Sequence, residues 1–274
     1  MSKKRVVVAM SGGVDSSVAA FLLKNQGYDV VGVTMRLWSV ERDDVPPDSK
    51  RCCSVEDVED ARRVCQAIGA PHYFMNFERE FQKHVVDYFV QSYDQGRTPH
   101  PCLACNDKIK FDFLLRRALF LDADYIATGH YARINHKNGT CTLQKGIDSL
   151  KDQSYMLWNI DKSYLKKTLF PIGDMTKEEV RDYAIKNELE TAKRDESQDL
   201  CFVLGDDYNQ FLHEIIPEKM ASISTGEIID ENNNVVGEHK GFTQYTIGQR
   251  KGIGLSFPEP RYVKKINPID NTIT

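Results

Sequence analysis

The sequence contains no apolar run approaching the ~20 residues needed to cross a membrane. Its start, Met1-Ser2-Lys3-Lys4-Arg5 leading into Val6-Val7-Val8, lacks the long apolar core and small-residue cleavage site of a secretory signal. Both absences predict a cytoplasmic chain with no membrane partner. There is no large excess of one charge: 36 basic residues face 40 acidic ones, a net of −4. That argues against a generally basic protein that coats nucleic acid, but leaves room for a local basic surface. No internal repeat or low-complexity tract is visible. With 41% hydrophobic and 28% charged residues, the composition excludes wholesale disorder. Nor is there a paired set of disulfide cysteines. Seven is an odd number, in a chain too long to need staples. Reduced thiols are expected, some of them chemical.

A length of 274 residues suits one large or two modest domains. The first third alternates strand and helix signals. Arg5–Met10 reads as a buried strand, Ser16–Gln26 as a helix stopped by Gly27, and Val30–Leu37 as a second strand. A helix N-capped at Ser54 and closed by Gly69 follows, then a strand over His72–Phe77 and a helix over Phe81–Tyr93. Lys108–Leu121 reads as a helix and Tyr125–Thr128 as a strand. This alternation predicts an α/β, doubly wound parallel sheet with helices on both faces. Asn138-Gly139 between Ala132–His136 and Thr140–Lys145 signals a hairpin. Lys177–Lys186 reads as a further helix. Beyond about Asp206 the chain turns glycine-punctuated and β-prone, with a second hairpin over Gly226–Ile229 and Val235–Glu238. We therefore place a soft boundary near Asp206 or Asp207 and expect an α/β domain over 1–207 and a small β-rich domain over 208–274. The tail from Lys240 carries six basic residues against Glu259 and Asp270, a net of +4.

Ser11-Gly12-Gly13-Val14-Asp15-Ser16-Ser17 lies between the first strand and helix. Two glycines let backbone N–H groups close on an anion, two serines add hydroxyls, and the helix start adds partial positive charge. The loop falls at the carboxyl end of a strand, where doubly wound sheets bind ligands. A plain glycine turn capped by Asp15 or Ser16 is the competing reading. No lysine stands where a Walker A loop requires one, and no G-x-G-x-x-G follows the strand. The whole heptad resembles the pyrophosphate loop (PP-loop) of the N-type ATP pyrophosphatases, of adenine nucleotide α hydrolase-like fold. Those enzymes split ATP between the α and β phosphates. The resemblance implies that Ala9, Met10, Ser11, Gly12, Gly13, Val14, Asp15 and Ser16 line the phosphates. It also implies that Met35, after the second strand, meets the adenine, and that Gly129 sits near the nucleotide. ATP brings Mg2+; no dedicated metal motif is present, and Asp15 is a candidate for a water-mediated contact.

Cys102-Leu103-Ala104-Cys105 follows a proline-rich loop. Cys105 falls near the start of the expected Asp107–Leu121 helix, with Lys108 and Lys110 nearby, a setting that favours thiolate. Cys65 and Cys141 read as small hydrophobes. Cys52-Cys53 is an exposed pair, a metal pair or nothing. A lone C-x-x-C is ambiguous between redox chemistry and metal binding. Cys102, Cys105 and Cys201 supply three ligands, so a [4Fe–4S] cluster with one open iron position stays open as an alternative.

Met10–Ser17, Gly96–Phe111, Thr128–Arg133, Lys151–Leu157, Glu196–Phe202 and Gly241–Gly252 together resemble, in matching order, the tRNA-specific 2-thiouridylase family. The resemblance implies ATP-dependent 2-thiolation of the wobble uridine (position 34) in the anticodon stem-loop of tRNA. Uracil O2 attacks the α-phosphate. Cys201 carries sulfur as a persulfide received from an upstream relay protein. Cys105 is the nucleophile, and a Cys105–Cys201 disulfide can close as sulfur moves. Lys151, Asp152 and Gln153 contact tRNA, and the target base leaves its stack. Two departures stand out. Some members carry Asp where this chain has Cys102, so that contact with the target base does not transfer. The family usually continues into a C-terminal β-barrel, which is expected to be absent or truncated here. A small-molecule adenylating ligase of the same superfamily and a non-catalytic nucleotide- or RNA-binding module are the other readings. The ligase does not need a paired Cys105 and Cys201; tRNA-stimulated AMP release supports thiolation, AMP formation dependent on a small acid supports the ligase, and binding without turnover supports the module. His72, His100 and His130 offer no clear general base.

Overall fold

The computed structural model describes residues 3–38, 55–137, 139–194, 200–203 and 207–274. Ser54 and the Cys52-Cys53 pair lie outside them, as does Asn138. Two compact units are present. One comprises Met1–His84 with Cys102–Phe202, the other Val85–Pro101 with Val203–Thr274.

The first unit is built on a parallel sheet. β1 (Arg5–Ala9) pairs with β2 (Asp29–Arg36) and β4 (Tyr125–Ala127). β3 (His72–Asn76) joins β2, and β7 (Thr168–Leu169) joins β4, giving the order β3-β2-β1-β4-β7. β1 reads as a continuous run of valines because it is central and buried on both faces. α1 (Val14–Asn25) and α2 (Val55–Ala67) follow β1 and β2. Val6 and Val8 share a core with Ala20 and Leu23 of α1 and with Ala61, Val64 and Cys65 of α2. Val14, Val18 and Ala19, on another side of α1, pack with Ile172 and with Val180 and Ala184 of α3 (Lys177–Lys186). α3 starts with a capping box between Thr176 and Glu179. The expected hairpin is β5 (Ala132–Lys137) on β6 (Thr140–Lys145), in unbroken antiparallel register.

Two expectations need correction. The helix expected from Asp107 is helical from Pro101. One turn, Pro101–Ala104, runs into a π-helical stretch over Cys105–Leu114, with an α-helix over Leu115–Phe120 beyond it. Proline favours a first helical position, so it starts the helix earlier than the apolar spacing indicates. The helix expected over Phe81–Tyr93 is interrupted by a π-helical stretch over Gln82–Val86. Aromatic packing explains the grouping of its second half with the later chain. Phe89 stands 5.9 Å from Phe211, and Tyr93 stacks on Tyr208 at 4.9 Å.

The second unit carries a four-stranded sheet of order β10-β11-β8-β9: β8 (Gly226–Ile229), β9 (Val235–His239), β10 (Ile266–Asn267) and β11 (Thr272–Ile273). Ile228, Phe242, Tyr245, Val263, Ile266 and Ile273 form its core. Short helices over Tyr208–Ile215 and Pro217–Ser222 precede the sheet.

Candidate active site

The loop after β1 is held by its own serines. Ser16 Oγ donates to Gly13 O at 3.1 Å and Ser17 Oγ at 2.9 Å, while the Ser11 N–H donates to Ser16 Oγ at 3.2 Å. Gly12 has φ +77° and lies against α2. A Cβ there would sit 2.5 Å from the Asp57 carbonyl oxygen, so only glycine fits. Gly13 is the N-cap residue of α1, and no side chain caps it. Of the competing reading, a glycine turn capped by Asp15 or Ser16, the turn and the Ser16 hydrogen bonds are present, but neither side chain caps α1. The first amide groups of α1 keep their capacity for an anion.

Gly129 reaches the same place from the end of β4. A Cβ on it would lie 2.6 Å from the Asp15 carbonyl carbon and 2.7 Å from the Ser16 nitrogen. Its backbone thus packs directly on the loop. Met35 lies within β2 rather than after it, 7% exposed and in register with Met75 of β3.

Two residues missed by the sequence reading complete this site. Lys177 Nζ donates to both carboxylate oxygens of Asp15 at 2.8 Å, and the Tyr131 hydroxyl donates to Asp15 Oδ1 at 2.8 Å. The Lys177 ammonium also lies 5.7 Å from the Tyr131 ring centroid. A lysine in the first turn of a helix opposes the helix dipole, and that local mismatch was the available signal. Asp15 is thus already paired with a cation.

His130, beside Gly129, is buried against Phe111 and Phe170, and its Nδ1 lies 2.5 Å from Thr128 Oγ1. Burial, with Lys110 as a smaller cause, holds its pKa well below the usual value, so it is neutral at pH 7. This favours a core role for His130. His72 is similarly depressed by burial and bonds Thr34.

Cys102, Cys105 and Cys201 are all thiols, not disulfide-bonded. Cys105 is 8% exposed and opens the π-helical stretch. With Pro101–Ala104 ahead of it, Cys105 does not lie at the helix start. The expected dipole effect on its thiol is therefore corrected, since the first-turn position belongs to Cys102. Asn106, next to Cys105, donates from Nδ2 to Met156 O at 3.2 Å. Phe202, next to Cys201, packs on Phe81 at 5.7 Å. The same segment reaches the Cys105 helix through His84 and Phe113, whose rings are 5.4 Å apart. Among the described residues, no group of three or more His, Cys, Asp or Glu is gathered to hold a metal.

Cys65 is fully buried, and burial pushes its thiol up to about 11, as suits a core side chain. Cys141 is half-buried, with Sγ 3.0 Å from His136 Nδ1. Of the expected tRNA contacts, Asp152 accepts from the Gly146 and Ser154 amides and the Ser154 hydroxyl. Gln153 Oε1 accepts from the Tyr131 amide, and the Gln153 N–H donates to Tyr131 O. Both residues hold backbone in this structure. In the second unit, Lys264 is paired with Glu231 at 2.6 Å.

A parallel sheet with a glycine–serine anion loop at the carboxyl end of its first strand defines an α/β nucleotide-binding protein. The chain matches the tRNA methyl transferase HUP domain over residues 4–205 and the tRNA methyl transferase PRC-barrel domain over residues 209–274. It is 49% identical over 275 residues to the tRNA-specific 2-thiouridylase MnmA of Carboxydothermus hydrogenoformans, spanning 100% of this chain and 74% of that protein. It is 46% identical over 273 residues to that of Clostridium perfringens, with 100% and 75% coverage. The chain belongs to the tRNA-specific 2-thiouridylase family. A solved NMN synthetase from Francisella tularensis is 14% identical, with a TM-score of 0.44 over 71% of this chain and 66% of that one. No described helix is long and apolar enough to cross a membrane.

Proposed function

We propose that this protein is a cytoplasmic, ATP-dependent tRNA-uridine 2-sulfurtransferase acting on the wobble uridine, position 34. The observation that carries ATP use is the uncapped amino end of α1, with Gly12 and Gly129 clearing the backbone around it and Lys177 facing it. The matched domain descriptions speak of methyl transfer and the relatives' names of thiolation. A phosphate loop and thiols suit the second chemistry.

In the proposed reaction the residues from Ala9 to Ser16 hold the triphosphate, Met35 meets the adenine, and Gly129 lies against the nucleotide. Mg2+ accompanies the phosphates. Lys177 neutralises charge as the α–β bond breaks. Uracil O2 takes AMP and pyrophosphate departs. Cys201 carries the outer sulfur of a persulfide delivered by a relay protein. The Cys105 thiolate attacks the inner sulfur, the S–S bond of the persulfide breaks, and hydrosulfide leaves. Two thiol sulfurs are thereby oxidised to a Cys105–Cys201 disulfide while the outer sulfur is reduced. Hydrosulfide adds to C2, and AMP leaves with O2. An external dithiol must then reduce the disulfide. Such a bridge needs a Cα separation of roughly 6 Å. Lys151, with Asp152 and Gln153 shaping its loop, contacts the tRNA. The catalytic part spans 1–207, with the small β-rich part over 208–274.

The test is mass analysis of nucleosides from unmodified tRNA incubated with ATP, a persulfide donor and a dithiol. One 2-thiouridine per AMP is expected. AMP formation that depends on a small acid and not on tRNA would overturn the reading.

A further inference from the structure

Two of the largest side chains of the first unit are turned to solvent. Trp158 is 68% exposed and Tyr155 is 55% exposed, while Leu157 and Ile160, in the same stretch, are buried against Phe111. The stretch is not loose. Asn106 holds Met156 O at 3.2 Å, and Asn159 Nδ2 donates to Asp107 Oδ2 at 3.0 Å. Both anchors lie in the helical segment opened by Cys105. The Lys108 ammonium lies 3.0 Å from the same Asp107 oxygen, so a cation stands beside Asn159, next in sequence to Trp158. Lys151 and Lys162 lie on either side of the aromatic pair in sequence. Of the nearby acids, Asp152 accepts from backbone amides and Asp161 caps a helix through the Ser163 amide, while Asp107 is shared between Asn159 and Lys108.

Exposed aromatic side chains on an anchored stretch that lysines flank in sequence suit single-stranded RNA, whose bases stack on aromatic rings while lysines meet the phosphates. A protein partner would gain less from lysines, which are depleted at interface cores. We infer that Trp158 and Tyr155 form a stacking platform for an unpaired base of the anticodon loop, next to the base that reacts. The inference rests on the tRNA reading above. It adds a base-contacting surface that tolerates any base, since every base has a π face. Residues that shape the loop (Asp152, Gln153) and residues that touch RNA are then separate sets.

The test uses the whole chain and an unmodified anticodon stem-loop RNA. Trp158→Ala should weaken binding roughly 5- to 100-fold, and Trp158→Phe should stay within about threefold of the wild type. The slope of affinity against salt should not change in either variant, because stacking releases no counterions. With Trp38→Phe as background, Trp158 is the sole tryptophan. Its emission should be quenched saturably by the RNA and not by heparin. If the Trp38 variant does not fold, the binding ratios still decide. Wild-type binding with Trp158→Ala and Tyr155→Ala both within twofold would overturn the platform alone. So would quenching by heparin equal to that by RNA, or self-association lost in Trp158→Ala with RNA affinity unchanged. Absence of wild-type RNA binding, together with no 2-thiouridine in the nucleoside assay, would overturn the tRNA reading as well.

Discussion

Lys177 begins a helix at the end where a cation is disfavoured, at a cost of roughly 0.3–1 kcal/mol. Asp15 repays that cost by accepting from the ammonium with both oxygens. The pair places the ammonium beside the loop after β1. Lys177→Ala should lower ATP–pyrophosphate exchange at least tenfold, with Lys177→Arg restoring part of it; a rate unchanged in the alanine variant would remove Lys177 from the site. Gly129→Ala should act on the same assay for a steric reason, since its Cβ would meet Asp15 and Ser16 backbone. The histidines give a pH signature. His130, His72 and His239 all have folded pKa values lowered by burial. Below about pH 6.5 the unfolded chain binds protons that the folded one does not. Stability should therefore be full above that pH and fall as pH drops toward 5.5, measured as Tm in matched ionic strength. His130→Asn should flatten the slope.

At the scale of elements, α2 is fastened to the stretch that leads to Cys201. Arg194 pairs with Asp60, and its Nη1 lies 3.5 Å from Asp57 Oδ1. The Asp57 backbone is what Gly12 rests on. Arg194→Ala should cost roughly 1–3 kcal/mol in denaturant unfolding and raise the KM for ATP more than it lowers kcat. Equal KM values would mean that the network holds α2 without touching the loop. The helix carrying Cys105 shows how far local reading extends. Its apolar positions, Ile109, Phe111, Leu114 and Leu115, were visible as a helix in the sequence. Its start at Pro101 had a signal only in the proline, ahead of the apolar spacing, and its π-helical winding has no periodic signature in the sequence. β7 was missed for a similar reason: a two-residue strand has no periodicity to read and exists only through pairing with β4.

For the whole molecule, the net charge of −4 hides a tail of net +4. One of its lysines, Lys264, is already paired with Glu231. Charge reversal at Lys251 and Lys265 should therefore weaken tRNA binding more than reversal at Lys264, and more at low salt than at high salt. An affinity that does not respond to these changes at any salt would mean that the tail only faces solvent. Cys201→Ser should form AMP from ATP and tRNA yet give no 2-thiouridine. The wild type should stop after one turnover when no dithiol is supplied.

The sequence by itself determined the parallel sheet, the anion loop after β1, both hairpins and the cysteines worth testing. Each is a local signal: a valine run, a Gly-Gly turn before a helix, an Asn-Gly pair, a spaced thiol. Only the tertiary structure decided that Lys177, 162 residues beyond Asp15, supplies the cation at that loop. It also decided that Gly129 clears the loop's backbone, that Asp152 and Gln153 hold backbone, and that Trp158 faces outward. Those assignments depend on which distant segments meet, and the packing of α1 against α3 and β4 that brings them together leaves no periodic trace along the chain.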